Sequence, residues 1–124
     1  MVANILPPTS IASTSFATSG TLTLSTGTTI TYTGGSEIKV HTIKMWFVKD
    51  MQYYIKNTGS DNITVRITAQ LTPNGDEVSV ITPTTLAPGD SLPFYYDRPA
   101  YYLNIYVTPT SDTSEWKDEY VVRW

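Results

Sequence analysis

Cysteine is absent from this 124-residue sequence, which removes disulfide staples, thiolate metal sites and cysteine nucleophiles. Histidine occurs once, at His41, so multi-histidine metal centres are excluded and a single candidate general base remains. Charge is scarce as well. Only 15% of residues are Asp, Glu, Lys or Arg, against about 25% in globular proteins generally. The eight basic residues (Lys39, Lys44, Lys49, Lys56, Arg66, Arg98, Lys117 and Arg123) form no stripe along the sequence, and the net charge is −3. That disfavours nucleic acid as a partner. No apolar run approaches the ~18 residues of a membrane helix, so no membrane insertion is expected. The N-terminal Met1-Val-Ala-Asn-Ile-Leu-Pro-Pro carries no basic region and no sustained apolar region, so it does not read as a signal peptide. An LPxTG-type sorting signal and a pilin-type N-terminal helix are also missing. No GxSxG elbow, HExxH or phosphate-binding glycine loop is found, so neither catalysis nor a cofactor is expected.

Threonine fills much of the space that charge leaves. It dominates Thr21–Thr33 and recurs at Thr82, Thr84, Thr85, Thr108, Thr110 and Thr113. A β-branched hydroxyl residue supports an extended backbone on a solvated strand face without adding charge. Such surfaces are common on extracellular and particle-forming proteins, and an extracellular or particle-surface location is the expectation. Low charge also leaves little repulsion between copies.

The pattern along the chain is that of strands. Asn62–Leu71 alternates strictly: Ile63, Val65, Ile67, Ala69 and Leu71 on one face, Thr64, Arg66, Thr68 and Gln70 on the other. Period two of this kind marks a half-buried antiparallel strand. Met51–Asn57 precedes it through the turn Asn57-Thr-Gly-Ser-Asp61. Thr21–Thr33 reads as a hairpin turning at Thr26-Gly27. In Glu37–Val48, Ile38 and Val40 lie on one parity and Ile43, Met45 and Phe47 on the other, which predicts a bulge or bend near His41-Thr42. A short strand at Val78–Ile81 follows the turn Pro73-Asn-Gly-Asp76, and Thr82–Asp90 reads as a loop. Ser91–Tyr96 contains Pro93, which argues for a sheet edge. Tyr101–Thr108 puts Tyr101, Leu103, Ile105 and Val107 on one face, and Trp116–Trp124 closes the chain. About eight strands separated by turns, with no convincing helix, predict an all-β, antiparallel β-sandwich, jelly-roll-like in form. Residues 21–124 make up this domain, and residues 1–20 an extended N-terminal arm.

The arm contains Pro7 and Pro8, then Ser, Thr and Ala broken by single apolar residues. Alone it cannot offset an ordering entropy of roughly 1–2 kcal/mol per residue. It is either a solvated tail or a segment that docks on a neighbouring subunit through Ile5, Leu6, Ile11 and Phe16, adding a strand to its sheet.

His41 has no partner marked by a motif and reads as structural. Asp76, Glu77, Asp90, Asp97, Asp112 and Glu115 lie near loops, where a sandwich can gather Ca²⁺ ligands, but none has calcium-loop spacing. Solvated charge is the simpler reading, and no metal is expected. The nine Tyr and three Trp are the informative group. Tyr102 and Tyr106 fall opposite the core face of their strand, and with Tyr95, Trp116 and Trp124 they form a predicted aromatic contact surface. Aromatic rings are enriched at interfaces because they bury large areas while keeping a polar tip.

Tyr54-Ile-Lys-Asn-Thr-Gly-Ser-Asp-Asn-Ile-Thr-Val, followed by Leu86-Ala-Pro-Gly-Asp, resembles a pattern in bacterial and phage surface β-sandwiches. There an N-T-G turn joins two strands and an L-x-P-G-[DE] turn precedes the next. The match spans about residues 51–108 and consists of turn chemistry. It implies a fold and a class of company, namely spore, pilus-like or virion structural proteins and appended binding domains, and it carries no catalytic residue. The expectation is a non-enzymatic subunit that assembles with copies of itself into an extracellular filament, tube, or spore or virion surface layer, by arm exchange. The alternative is a carbohydrate-binding module that stacks glycans on Tyr102, Tyr106 and Trp116.

Overall fold

The computed structural model describes residues 28–29, 36–111 and 114–123. Its strands are β1 (Thr28–Thr29), β2 (Ile38–Lys44), β3 (Asp50–Asn57), β4 (Ile63–Gln70), β5 (Glu77–Leu86), β6 (Ser91–Tyr96), β7 (Tyr102–Pro109) and β8 (Glu115–Arg123). They form two four-stranded sheets, ordered β1-β8-β3-β6 and β2-β7-β4-β5, with every pairing antiparallel. Successive segments cross from one sheet to the other, except for the β4–β5 hairpin, and this is the strand order of a jelly roll. The predicted all-β sandwich is thus observed, and no described residue is helical.

Alternation builds the core. Ile63, Val65 and Ile67 of β4 and Leu103, Ile105 and Val107 of β7 are fully buried, facing Met51, Tyr53 and Ile55 of β3. Burying each such side chain contributes roughly 1.5–3 kcal/mol. The parity change in β2 is a bulge. Ile38 pairs with Val107, and the register shifts between Lys39 and His41, so His41 opposes Ile105 and Ile43 opposes Leu103. One extra residue, Val40, lets Ile38 and Ile43 face the same core from opposite parities.

The two resembling turns are one structure. Asn57 is fully buried at the end of β3. Its Nδ2 donates to the carbonyls of Asp61 (2.7 Å) and Leu86 (2.9 Å), and its Oδ1 accepts the Gly59 N–H at 3.0 Å. Its own N–H donates to Asp90 O and its carbonyl accepts from Gly89 N–H, both at 2.9 Å. Gly89 sits at φ 87, the left-handed conformation that glycine adopts without strain. Asp90 Oδ2 accepts the Ala87 N–H at 3.0 Å and closes that turn.

Several boundaries differ from the sequence reading. Glu37–Val48 is not one strand: β2 ends at Lys44, Met45–Lys49 turns, and the chain enters the other sheet at Asp50. Phe47 lies in that turn, 92% exposed, instead of continuing the Ile43–Met45 face. Thr82–Leu86 is strand, not loop, because β5 runs on past Pro83 as an edge whose outward residues give no apolar alternation. Leu71 falls beyond the end of β4 and is exposed. Tyr101 precedes β7 and packs on Trp46, not in the core. The arm with Ile5, Leu6, Ile11 and Phe16, the boundary at residue 20, the proposed Thr26-Gly27 turn, Asp112 and Trp124 lie outside the described residues.

Candidate functional site

The aromatic residues separate into three environments. The first is the core. Trp116 is fully buried within it, facing inward from β8, so it forms no part of a contact surface. Trp116, Asp118, Tyr120 and Val122 share that inward face, and the acidic member explains why the pattern was hard to read. Asp118 is 1% exposed. Its Oδ2 accepts the Tyr53 hydroxyl at 2.8 Å and lies 2.7 Å from His41 Nε2. The His41 ring meets Tyr120 edge-on, with centroids 5.2 Å apart. Burial first, then the adjacent Asp118 charge, pushes the Tyr53 phenol well above its ordinary value. His41 reaches across from the other sheet, so the cluster ties the two layers together. The structural reading of His41 is what this geometry supports.

The second environment is the outward face of the β2-β7-β4-β5 sheet. Tyr106 does point away from the core, yet it is 9% exposed. The Arg66 guanidinium covers its ring at 4.0 Å, and Lys39 Nζ stands 5.5 Å from the centroid. Arg66 is held by both carboxylate oxygens of Glu37, at 2.6 and 2.8 Å. The Tyr106 hydroxyl donates to Glu77 Oε1 at 2.6 Å, as does Thr68 Oγ1. Burial, then the Glu77 hydrogen bond, raises the Tyr106 phenol to about 12. The hydroxyls of Thr68 and Tyr106 hold Glu77 below the usual carboxylate range. A charged lid, not solvent, therefore meets this tyrosine. Tyr95, on the outward face of the other sheet, is half-buried and donates to Asp50 Oδ2 at 3.2 Å; Arg123 holds the same carboxylate.

The third environment is exposed. At one end of the sandwich the β2–β3 turn and the β6–β7 loop lie together, joined by the Met45 N–H donating to Tyr101 O at 2.9 Å. Trp46 and Tyr101 rings approach to 4.7 Å at 45°, and Tyr102 meets Tyr101 edge-on at 4.7 Å. A cavity of about 580 Å³ opens between the loops, lined by Met45–Val48 and Asp97–Tyr101. Phe47 stands beside it at φ 61, a left-handed conformation unusual for a bulky residue. Val48 N–H donates to Met45 O at 3.1 Å and fixes this turn. Exposed Asp97 and Arg98 line the same cavity, Lys44 Nζ stands 5.5 Å from the Trp46 ring, and exposed Lys49 ends the turn. Among the described residues of the predicted contact surface, only Tyr102 belongs here. Trp46, Phe47 and Tyr101 were missed because they continue an apolar run. The one available signal was two adjacent aromatics flanked by lysines.

Three of the carboxylates read as solvated have separate duties. Glu77 serves Tyr106 and Thr68, Asp90 closes its own turn, and Glu115 accepts the Thr58 hydroxyl at 3.2 Å.

No model of a known protein family matches the sequence, and no curated protein sequence matches it. Among solved structures the chain is similar to PirA, with TM-score 0.53 and 13% identity over 81% of this chain and 92% of that one. It is also similar to the structure of Bacillus endospore appendages, a family of disulfide-linked pili, with TM-score 0.50 and 13% identity over 86% of this chain and 90% of that one. At these identities the likeness is one of fold, and it agrees with the resemblance to spore and filament β-domains carried by the two turns.

Proposed function

We propose that the protein is a structural subunit that assembles with copies of itself outside the cell or on a particle surface, each arm Met1–Gly20 adding a strand to a neighbour's sheet. The observation that carries this reading is the inequality of the sheet edges. On one side of the sandwich the edge strands β5 and β6 contain Pro83 and Pro93, and β5 also has two register shifts against β4. Proline supplies no N–H, and irregular register spoils a straight ladder, so both edges resist an added strand. On the other side the edge strands are β1 and β2, whose described residues include no proline. An arm with apolar residues spaced through a Ser/Thr run has the composition to pair with such an edge. The spore-appendage likeness supports the reading, with one difference. This sequence has no cysteine, so contacts among its residues involve no disulfide.

Deleting residues 1–20 tests the role of the arm. The truncated chain is expected to remain folded and to fail to polymerise, whereas assemblies indistinguishable from the parent's in negative-stain micrographs would remove arm exchange from the account. A glycan-stacking platform of Tyr102, Tyr106 and Trp116 is not formed, because Trp116 is in the core and Tyr106 lies under Arg66.

A further inference from the structure

The aromatic end of the sandwich plays no part in strand exchange, and its chemistry points elsewhere. Phe47 is 92% exposed and Trp46 42% exposed, whereas the described residues, Leu71 and Val78 apart, bury most of their large apolar side chains. A phenylalanine at φ 61 is strained, and strain of this kind marks positions kept for a purpose other than stability. The turn that carries the two rings and the loop beside it hold three exposed cations, Lys44, Lys49 and Arg98, against one exposed carboxylate, Asp97. The neighbouring Arg123 and Asp50 neutralise each other as a pair. This is a local positive excess on a protein whose net charge is −3.

We infer that this end is a peripheral docking tip for an anionic lipid surface, with Phe47 and Trp46 entering the interface and Lys44, Lys49 and Arg98 meeting the headgroups. Tryptophan belongs at the level of lipid headgroups, where one side of the ring is apolar and the other wet. Basic residues near an anionic leaflet add attraction that falls off within a Debye length. An apolar anchor and a basic patch are the two signals a reversible membrane contact requires, and neither spans the bilayer. Among the described residues no helix is long and apolar enough to cross a membrane. A second copy of the chain is the competing occupant. Packing this tip against its own twin would set three cations against three cations, and that repulsion disfavours it. The fixed turn suits insertion, because the Val48–Met45 and Met45–Tyr101 hydrogen bonds hold the tip without help from a partner.

The inference does not depend on assembly, since each subunit carries its own tip. Flotation on a density gradient tests it with the full chain, because vesicles rise while protein polymers sink. Vesicles of phosphatidylcholine with phosphatidylserine are expected to carry the protein upward, and vesicles of phosphatidylcholine alone to carry far less. Raised salt should weaken the contact. Phe47→Asn, which suits the left-handed backbone, should keep the fold and lower the affinity on the order of tenfold. Lys49→Gln should lower it roughly fivefold. Lys117→Gln, on β8 away from the tip, should leave it unchanged. Absence of flotation, equal flotation with neutral vesicles, or full binding by Phe47→Asn would overturn the inference. So would a lipid-independent self-association that Phe47→Asn abolishes, which would assign the tip to a second copy.

Discussion

Asn57 shows how one side chain can hold two distant turns in register. Its amide and its main chain together make five hydrogen bonds, reaching Gly59 and Asp61 on one side and Leu86, Gly89 and Asp90 on the other. Alanine there would leave the buried Leu86 carbonyl without this donor and free the first turn. A loss of about 2–4 kcal/mol is expected, read as a lower denaturant midpoint. A change within about 0.5 kcal/mol would mean that the turns hold without it. Tyr106 gives a pH signature. Its phenol is raised to about 12 in the fold, against about 10 in an unfolded chain. The folded state therefore holds this proton more tightly. The stability it contributes is complete below pH ~10 and is lost as pH rises towards ~12, by roughly 2–3 kcal/mol at most. In Tyr106→Phe that decline should flatten in chemical denaturation between those pH values. An equally steep decline in the variant would place the titrating group elsewhere.

At the scale of the strand, the placement of proline is the informative feature. Pro93 pairs opposite Tyr54 on the edge strand β6, and Pro83 sits in the edge strand β5. If these residues guard their edges, Pro83→Val and Pro93→Val together should keep the fold and increase aggregation, seen as a rise in light scattering with protein concentration. Scattering identical to the parent's would show that the edges are guarded by something else. Legibility in the sequence follows burial. β4 and β7 were readable because each has one apolar face, whereas β5 faces solvent along most of its length and hid behind turn residues. β8 was misread at Trp116 because Asp118 interrupts its inward face, and only partners from distant strands, His41 and Tyr53, make that burial tolerable. The backbone of the Trp46-Phe47 turn gave no local signal, since a left-handed residue is normally announced by glycine or asparagine, and only the two adjacent aromatics between lysines marked it. The bulge in β2 was readable because parity within a strand must be conserved unless a residue is inserted.

For the whole molecule, the fold separates its surfaces by task. Among the described residues, proline-bearing edges lie on one side, edges without proline lie on the other, and an aromatic, basic tip closes one end. Low charge permits close approach of copies, and in the proposed polymer strand pairing and packing, with no disulfide, hold the subunits together. Such a polymer is concentration-dependent and sensitive to denaturant, where a covalently linked one would not be. Sedimentation velocity of the purified full chain over a range of concentrations tests the central claim most directly. Self-assembly predicts species growing with concentration to many times the 13.8 kDa chain. A single boundary at the mass of one chain, unchanged at the highest concentration, would contradict it.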